Sequence, residues 1–225
     1  MRIIVGCEFS QIVTKAFRDK GHEAYSCDTL PTEGNPDWHF QENILQLLSR
    51  ESFDLGIFHP PCTYLTVTAN KWLKDQPARK SGALVGADRR QARDEAIGFF
   101  MKLAGANIPK ICIENPVGCM SSIYKKPSQI IQPMDFGHHE PKKTCLWLKG
   151  LPLLKPTHQD IEPEYTMTKS GKRMATWYYF ADNTKGSDRA KVRSKTFQGI
   201  ADAMASQYSS FMESGLSVDE WMAKK

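Results

Sequence analysis

The first half of the chain alternates short apolar runs with stretches whose apolar residues recur at helical spacing. "RIIVG", "HEAYSCD", "FDLGIFH" and "KICIEN" are typical of buried strands. Between them, residues 10–20, "ENILQLLSR" and "DEAIGFFMKLAGAN" have the spacing of amphipathic helices, and Gly21 is placed to end the first. Strands that alternate with helices predict an α/β fold with a doubly wound, mostly parallel sheet.

The pattern becomes irregular after Pro116. "TCLWL" indicates one more strand, whereas residues 152–189 are loop-rich and polar apart from "TWYYF". We expect "LPTEGNPDWHF" to be a loop and residues 70–92 to be an exposed, mobile excursion. "RSKTFQGIADAMASQYSSFM" predicts a closing amphipathic helix with Ile200, Ala203, Met204 and Tyr208 on one face. We therefore divide the chain into an α/β domain over 1–150, a short loop-rich segment over 151–190, and a helical segment over 191–225 that packs back on the first.

Composition narrows the class of protein further. The chain of 225 residues is 40% hydrophobic and 24% charged, which is ordinary for a globular domain. No apolar run approaches the roughly 20 residues that cross a bilayer, so we expect no membrane partner. The N-terminus predicts a strand rather than a signal peptide, and the six scattered cysteines favour a reduced, cytoplasmic protein. No metal is expected, because the spacing in the group Cys112, Cys119, His138, His139 and Cys145 contains no close Cys-x-x-Cys pair.

Chemically distinctive residues follow each of the four predicted strands. They are Gly6, Asp28, Cys62 behind two prolines, and Glu114. Because the carboxyl ends of parallel strands meet at one edge of the sheet, where ligands bind, we expect these residues to share a crevice.

The turn after the first strand indicates which cofactor the crevice suits. Asp28 is placed to accept hydrogen bonds from a ribose, although loop capping is the alternative for this residue. The turn "GCEFSQ" lacks the Gly-x-Gly-x-x-Gly phosphate cradle, so a phosphate-free cofactor such as S-adenosylmethionine suits the sheet better than a dinucleotide. Asn43 or Glu42 is a candidate contact for the adenine.

Cys62 and Glu114 together suit chemistry at C5 of a pyrimidine. Two prolines stiffen the corner before Cys62, and thiolates are strong nucleophiles. A carboxyl group in a semi-apolar cleft can have a raised pKa and donate a proton at neutral pH. Addition of a thiol at C6 with protonation of N3 makes C5 nucleophilic enough to attack a methyl sulfonium. The alternative is an inert buried thiol and a carboxylate in a salt bridge.

These motifs resemble those of DNA cytosine-C5 methyltransferases. "HPPCTYLT" resembles their Pro-Pro-Cys motif and "IENPVG" their Glu-Asn-Val motif. "FGHHEPKKTCLWL" is similar to the later motif in which a Gln and two Arg precede a strand, and "FQGIADAMA" to their C-terminal cofactor-side helix. The whole chain most closely resembles the short phage- and prophage-encoded members, which share "CEFS", "HPPCTYL", "IENP" and "LWLKGLP".

The resemblance implies an S-adenosylmethionine-dependent methyltransferase with a Rossmann-like catalytic domain over 1–150 and a reduced recognition segment over 151–190. It implies that Cys62 is the C6 nucleophile and Glu114 the N3 proton donor, and that Asn115 and Pro116 support the Glu114 loop. Pro61 is counted with the catalytic residues. The residues expected to line the cofactor pocket are Gly6, Glu8, Phe9, Ser10, Asp28, Asn43 and Pro60. A phage-encoded enzyme of this kind would act on DNA in the cytoplasm of a bacterial host.

The chain departs from the family pattern in ways that concern the substrate. The second arginine of the later motif aligns with Thr144, so a basic group near the base must come from Lys142, Lys143, Arg173 or Arg193. Too few residues separate "LWLKG" from "VRSKTF" for a full target-recognition domain. The net charge of +5 permits a phosphate-bearing partner. The excursion over 70–92 would then supply phosphate contacts, from Lys71, Arg79, Lys80, Arg89 and Arg90.

Several alternatives stay open at the level of the sequence. The same chemistry would suit RNA or a free pyrimidine nucleotide. A non-catalytic relative that binds nucleic acid or S-adenosylmethionine is also compatible with the altered first loop. Exocyclic-amino methylation needs an aromatic residue in the place of Cys62, and Tyr64 comes two residues too late.

Overall fold

The computed structural model describes residues 1–183, 191 and 193–224. It has a central sheet of seven strands with helices on both faces. The strands are β1 (Arg2–Gly6), β2 (Glu23–Asp28), β3 (His39–Gln41), β4 (Leu55–Phe58), β5 (Lys110–Pro116), β6 (Gln129–Ile131) and β7 (Thr144–Lys149). The helices are α1 (Ile12–Arg18), α2 (Ile44–Leu48), α3 (Gly86–Ala104), α4 (Met120–Ile123), α5 (Thr176–Asn183), α6 (Gln198–Ser214) and α7 (Val218–Ala223).

The strand order is β3-β2-β1-β4-β5-β7-β6. The first five strands are parallel, and β7 pairs antiparallel with both β5 and β6. This arrangement is α/β with a mostly parallel mixed sheet, as the sequence predicts, and it is consistent with a Rossmann-like fold. The order reverses between β1 and β4, which is the switch point where such sheets bind ligands.

Two hydrophobic cores cover the faces of the sheet. Alternate residues of β1 serve different cores, because successive side chains of a strand point to opposite faces. Ile3 and Val5 pack with the buried faces of α1 and α6, whereas Ile4 packs with α2 and α3. The predicted face of the closing helix is confirmed, since the four residues named for it are all buried.

The remaining differences from the predicted elements concern short segments. The loop "LPTEGNPDWHF" ends in the edge strand β3, and "TWYYF" is helical as the start of α5. Strands β8 (Tyr165–Met167) and β9 (Arg173–Ala175) form a separate hairpin before α5. The loop-rich interpretation of residues 152–189 is confirmed for 152–164, which have no helix or strand, and is wrong for the hairpin and α5; residues 184–190 lie outside the described residues. Three-residue strands carry too little periodicity to be read from sequence.

The expected excursion over residues 70–92 is also partly wrong. A 3₁₀ helix spans Val67–Leu73, and α3 begins at Gly86, well before the predicted helix. Polar residues cover most of the first turns of α3, so their helical spacing is not visible as an apolar pattern. None of the helices within the described residues is long and apolar enough to cross a membrane.

Candidate active site

A tight turn after β1 forms one wall of a cleft at the carboxyl edge of the sheet. Cys7 has φ 60°, a left-handed conformation that is uncommon outside glycine. The backbone N–H groups of Cys7 and Glu8 both donate to the Cys27 carbonyl, at 2.7 and 3.3 Å. The turn brings residues 7–10 together with His59, which follows β4, and with residues 194–196, which precede α6. The cleft therefore lies at the switch point and has a volume of about 230 Å³, part of which is open to solvent.

The Glu8 side chain accepts hydrogen bonds at the start of α1. Its buried carboxylate accepts hydrogen bonds from the backbone N–H groups of Val13 and Thr14, at 2.7 and 3.2 Å, and from the Thr14 hydroxyl at 2.6 Å. Burial raises the pKa of Glu8, although a positive charge on His59 and these hydrogen bonds act in the opposite direction. Both carboxylate oxygens are thus used by the fold, although Glu8 also lines the cleft together with Cys7, Phe9 and Ser10.

The other residues predicted to bind the cofactor also have local partners. Asp28 Oδ1 accepts a hydrogen bond from the Leu30 N–H at 2.9 Å, which is the loop-capping alternative. Asn43 Oδ1 accepts one from the Leu45 N–H at 2.9 Å and caps α2. Glu42 forms an ion pair through both its oxygens with Arg50, whose hydrogen bond lowers the pKa of Glu42.

Gly6 and Pro60 have packing roles. A Cβ atom on Gly6 would lie 2.7 Å from the Phe58 ring and 2.9 Å from the Ile44 side chain, so only glycine fits there. Pro60 is buried behind the corner.

The cleft fits S-adenosylmethionine in part. Its position at the switch point, the apolar Phe9 and the hydroxyls of Ser10, Ser194 and Thr196 suit a small polar ligand. Its volume of about 230 Å³ includes space that is open to solvent, so the cleft encloses only part of such a molecule.

Hydrogen bonds from three directions hold the Pro-Pro-Cys corner. The His59 N–H donates to the Gly6 carbonyl at 3.0 Å, and Asn115 Nδ2 donates to the Pro60 carbonyl at 2.7 Å. The Cys62 carbonyl accepts from the Leu65 and Thr66 N–H groups, at 3.0 and 3.2 Å. Asn115 was expected to support the loop of Glu114, and its amide in fact connects that loop to the corner.

A close backbone approach holds the segment after Cys62 as well. Thr66 forms an isolated β-bridge with Gly118, and a Cβ atom on Gly118 would clash with the Leu65 carbonyl. The loops that follow β4 and β5 are therefore joined on both sides of the corner.

Glu114 is paired with His59. Glu114 Oε2 lies 3.0 Å from His59 Nδ1, and the side chains are only 15% and 7% exposed. The parallel register of β4 and β5 explains the contact. Phe58 is aligned with Ile113, so the residues that follow them, His59 and Glu114, lie side by side. The second nitrogen, His59 Nε2, is buried and has no hydrogen-bond partner among the described residues.

The expected raised pKa of Glu114 is wrong. Burial alone would raise it, but the hydrogen bond from His59 and the positive charge of Lys142 outweigh burial, so that the pKa of Glu114 is lowered. Glu114 is therefore a carboxylate at neutral pH in the absence of a ligand. The sequence could show the semi-apolar position of this residue but not its neighbours His59 and Lys142.

Cys62 is a neutral thiol in the same surroundings. Burial raises the pKa of Cys62, and the negative charge of Glu114 raises it further. The positive charges of Lys142 and Arg193 offset part of this increase. The carboxylate of Glu114 is thus close enough to the Cys62 thiol to oppose its ionisation.

Two of the four basic candidates lie beside this pair. Lys142 Nζ donates to the Arg193 carbonyl at 3.4 Å and lies 5.7 Å from the ring centres of Trp177 and Phe197. The Arg193 guanidinium donates to the Tyr178 hydroxyl at 2.8 Å. Lys143 is exposed, and Arg173 belongs to the β8–β9 hairpin.

The predicted phosphate contacts divide into exposed and buried side chains. Arg79 and Lys71 lie over the Trp72 ring, at 3.9 and 4.8 Å from its centre, and Lys80 is exposed. Exposed Arg90 pairs with Asp75 at 2.9 Å.

Arg89 does not face solvent, and its predicted phosphate contact is wrong. It is 6% exposed and donates to the carbonyls of Thr63 and Leu84, at 3.1 and 3.4 Å. The early start of α3 buries this side chain against the loop that follows Cys62.

Sequence reasoning missed His59, the cleft residues 194–196, and Trp177 and Tyr178, which contact Lys142 and Arg193. His59 had a visible signal, because a histidine directly before a strand-end Pro-Pro-Cys corner lies at the ligand edge. The others had a weaker signal in the aromatic run and the "RSKTF" segment.

No protein-family model matches this chain, and no curated protein does either. Among the described residues, no group of three His, Cys, Asp or Glu side chains could hold a metal ion. The function is therefore argued from the site itself.

Proposed function

We propose that this protein is a methyltransferase that transfers a methyl group from S-adenosylmethionine to C5 of a cytosine in DNA, through a covalent bond between Cys62 and C6 of the base. The observation that carries the proposal is the cluster of Cys62, Glu114 and Lys142 at the carboxyl edge of the sheet, next to the cleft at the switch point. A thiol, a carboxyl group and a cation are the side chains that C5 chemistry needs.

The charges of the site suggest how protons balance in this reaction. The pair holds one proton, on the Cys62 thiol, while Glu114 is ionised. As Sγ bonds to C6, Glu114 accepts the thiol proton and passes it to N3, so no proton is needed from solution. Once C5 carries the methyl group, the C5 proton leaves to solvent as the Sγ–C6 bond breaks, and the N3 proton returns through Glu114 to the departing thiolate, which regenerates the thiol.

Nearby cationic side chains favour the thiolate form of Cys62. Lys142 and Arg193 offset part of the increase in the pKa of Cys62 and thereby stabilise the thiolate at the moment of attack. His59 orients Glu114 through the 3.0 Å contact and so acts as a positioning residue. Phe9, Ser10 and His59 would hold the methyl donor, which when bound supplies an electrophilic methyl group.

Transfer of labelled methyl groups tests the proposal directly. The full chain is incubated with methyl-labelled S-adenosylmethionine and either cytosine-containing DNA, the RNA of the same sequence or dCMP, and 5-methylcytosine is measured. We expect transfer to DNA, and loss of transfer in Cys62→Ser but not in Cys119→Ser, the matched change at another half-buried thiol. Absence of transfer to all three substrates would overturn the enzyme assignment, and an active Cys62→Ser protein would overturn the nucleophile.

A covalent trap provides a second readout. An oligonucleotide with 5-fluorocytosine cannot lose the group at C5, so the adduct should persist and be visible as a mass increase on the peptide that contains Cys62. An adduct on any other cysteine would contradict the assignment.

A further inference from the structure

One face of the β8–β9 hairpin exposes an aromatic ring, a methionine and an arginine. Tyr165 and Met167 lie on the same face of β8, because they are two residues apart in a strand. Their partners across the hairpin are Ala175 and Arg173. Tyr165 is 42% exposed and Met167 is 61% exposed, so the fold does not bury this face.

Hydrogen bonds join the end of the hairpin to α5, which follows it directly. The Thr166 and Thr176 hydroxyls are 3.0 Å apart, and the Thr176 N–H donates to the Glu164 carbonyl at 3.0 Å. These contacts join the hairpin to the start of α5. On the exposed face, the Arg173 guanidinium lies 3.9 Å from the centre of the Tyr165 ring and so orients a flat, cationic pair towards solvent.

The same helix connects the hairpin to the candidate active site. Trp177 of α5 lies beside Lys142, and Tyr178 accepts the hydrogen bond from Arg193. The charges of Lys142 and Arg193 act on Cys62. A strand whose target base reaches Cys62 would therefore pass Lys142 and Arg193, which contact α5, and α5 directly follows the hairpin.

The charge of this part of the chain suits an anionic partner. Between residues 165 and 181 the sequence has Lys169, Lys172 and Arg173 and no acidic residue. Aromatic side chains stack on base faces, which a single strand exposes and a duplex covers with neighbouring bases. Too few residues separate "LWLKG" from "VRSKTF" for a full lobe that reads duplex DNA to lie between them.

We propose that the face formed by Tyr165, Met167 and Arg173 binds single-stranded DNA by stacking its bases beside the target cytosine. This inference rests on the proposed function for the identity of the strand. It narrows the substrate class from DNA in general to a single strand.

Fluorescence anisotropy with a fluorescein-labelled 20-mer tests the face without turnover. We expect the full-length protein to bind the single strand more tightly than the duplex of the same sequence. Tyr165→Ala should weaken binding about tenfold or more, the loss typical of one stacked base. Tyr165→Phe keeps the ring and should bind within about twofold of the parent.

A salt titration should distinguish the contribution of the Arg173 charge to binding from that of the Tyr165 ring. Arg173→Ala should weaken binding and reduce the slope of log K against log salt by about 0.7, since one phosphate contact is lost, whereas Tyr165→Ala should leave the slope unchanged. Matched controls are Met101→Ala and Lys102→Ala, which are exposed at the end of α3 that leads to the amino end of β5, away from the site. These two should bind as the parent does.

Four results would overturn the inference. They are tighter binding of the duplex, tighter binding of the RNA of the same sequence, unchanged binding by Tyr165→Ala, and a parent dimer that Tyr165→Ala converts to monomer, which would assign the face to a second copy. The proposed function fails separately. A protein that binds the single strand through Tyr165 but transfers no methyl group overturns only the methyltransferase assignment, and one that methylates only duplex DNA overturns only the single-strand assignment.

Discussion

At the residue scale, the ionisation of Glu114 depends on its contact with His59. His59→Leu removes the donor and leaves a buried carboxylate with one partner fewer. We expect this change to lower the free energy of unfolding at pH 7 by about 1–3 kcal/mol, the cost of leaving a buried polar group without its hydrogen bond. Urea denaturation measures the loss.

His59→Asn is the matched control for that change, because its amide can still donate to Glu114. It should recover most of the stability that the leucine variant loses. Equal losses in the two variants would show that packing, and not the hydrogen bond, holds His59 in place.

The shared proton of Cys62 and Glu114 predicts the pH dependence of the proposed methyl transfer. The pKa of Glu114 lies below its ordinary value of 4.5 and that of Cys62 above its ordinary value of 9.0. The form with one proton is therefore dominant between these limits. We expect a single-turnover rate that is flat between about pH 6 and pH 8, falls in acid as Glu114 gains a proton, and falls in alkali as Cys62 loses one.

Rates measured with buffers of constant ionic strength test this dependence. If attack required a thiolate formed beforehand, the rate would instead rise about tenfold per pH unit across the same range. Such a rise would contradict the transfer of the thiol proton through Glu114.

At the scale of elements, the first turns of α3 support the loop after Cys62. Arg89 is buried and donates to two carbonyls, whereas neighbouring Arg90 is exposed and forms a surface ion pair. Arg89→Met keeps much of the length but removes the donors. We expect it to cost about 1–3 kcal/mol of unfolding free energy, and Arg90→Met to cost at most about 1 kcal/mol.

Thermal and urea unfolding of the two variants make this comparison. Oligonucleotide binding adds a second distinction, because Arg89→Met should leave the salt slope unchanged. An Arg90→Met protein that loses as much stability as Arg89→Met would contradict the supporting role of Arg89.

At the scale of the whole molecule, buried thiols should make the fold sensitive to alkali. Burial is the main cause that raises the pKa of Cys27 and of Cys112 to about 12. These groups stay neutral in the folded state while the unfolded chain ionises above about pH 8.5. Their stabilising contribution is therefore complete below that pH and is lost as the pH rises towards 12.

Each such thiol should lower the unfolding free energy by about 1.4 kcal/mol per pH unit above pH 9. Denaturation in reductant at pH 8, 9, 10 and 11 gives the slope. Cys112→Ala should reduce that slope by about 1.4 kcal/mol per pH unit, whatever its cost at neutral pH. An unchanged slope would mean that Cys112 ionises in the folded state.

The sequence by itself determined the fold class and the edge of the sheet that carries the site. Mostly apolar runs such as "RIIVG" and "KICIEN" indicate buried strands whatever packs against them. The carboxyl ends of parallel strands lie at one edge of their sheet. The same logic predicts that Cys62 and Glu114 lie at one edge, and in the structure the charge of Glu114 acts on the pKa of Cys62. It failed for β3, β8 and β9, which are too short to show a period.

The tertiary structure alone decided the charges and contacts around those residues. The low pKa of Glu114, the choice of Lys142 and Arg193 over Lys143 and Arg173, and the burial of Arg89 all depend on segments that are distant in sequence. Electrostatic energy and burial depend on distances in space, and no local pattern encodes those distances. The residue types near the site were therefore readable from the sequence, while their ionisation states followed from the packing of the folded chain.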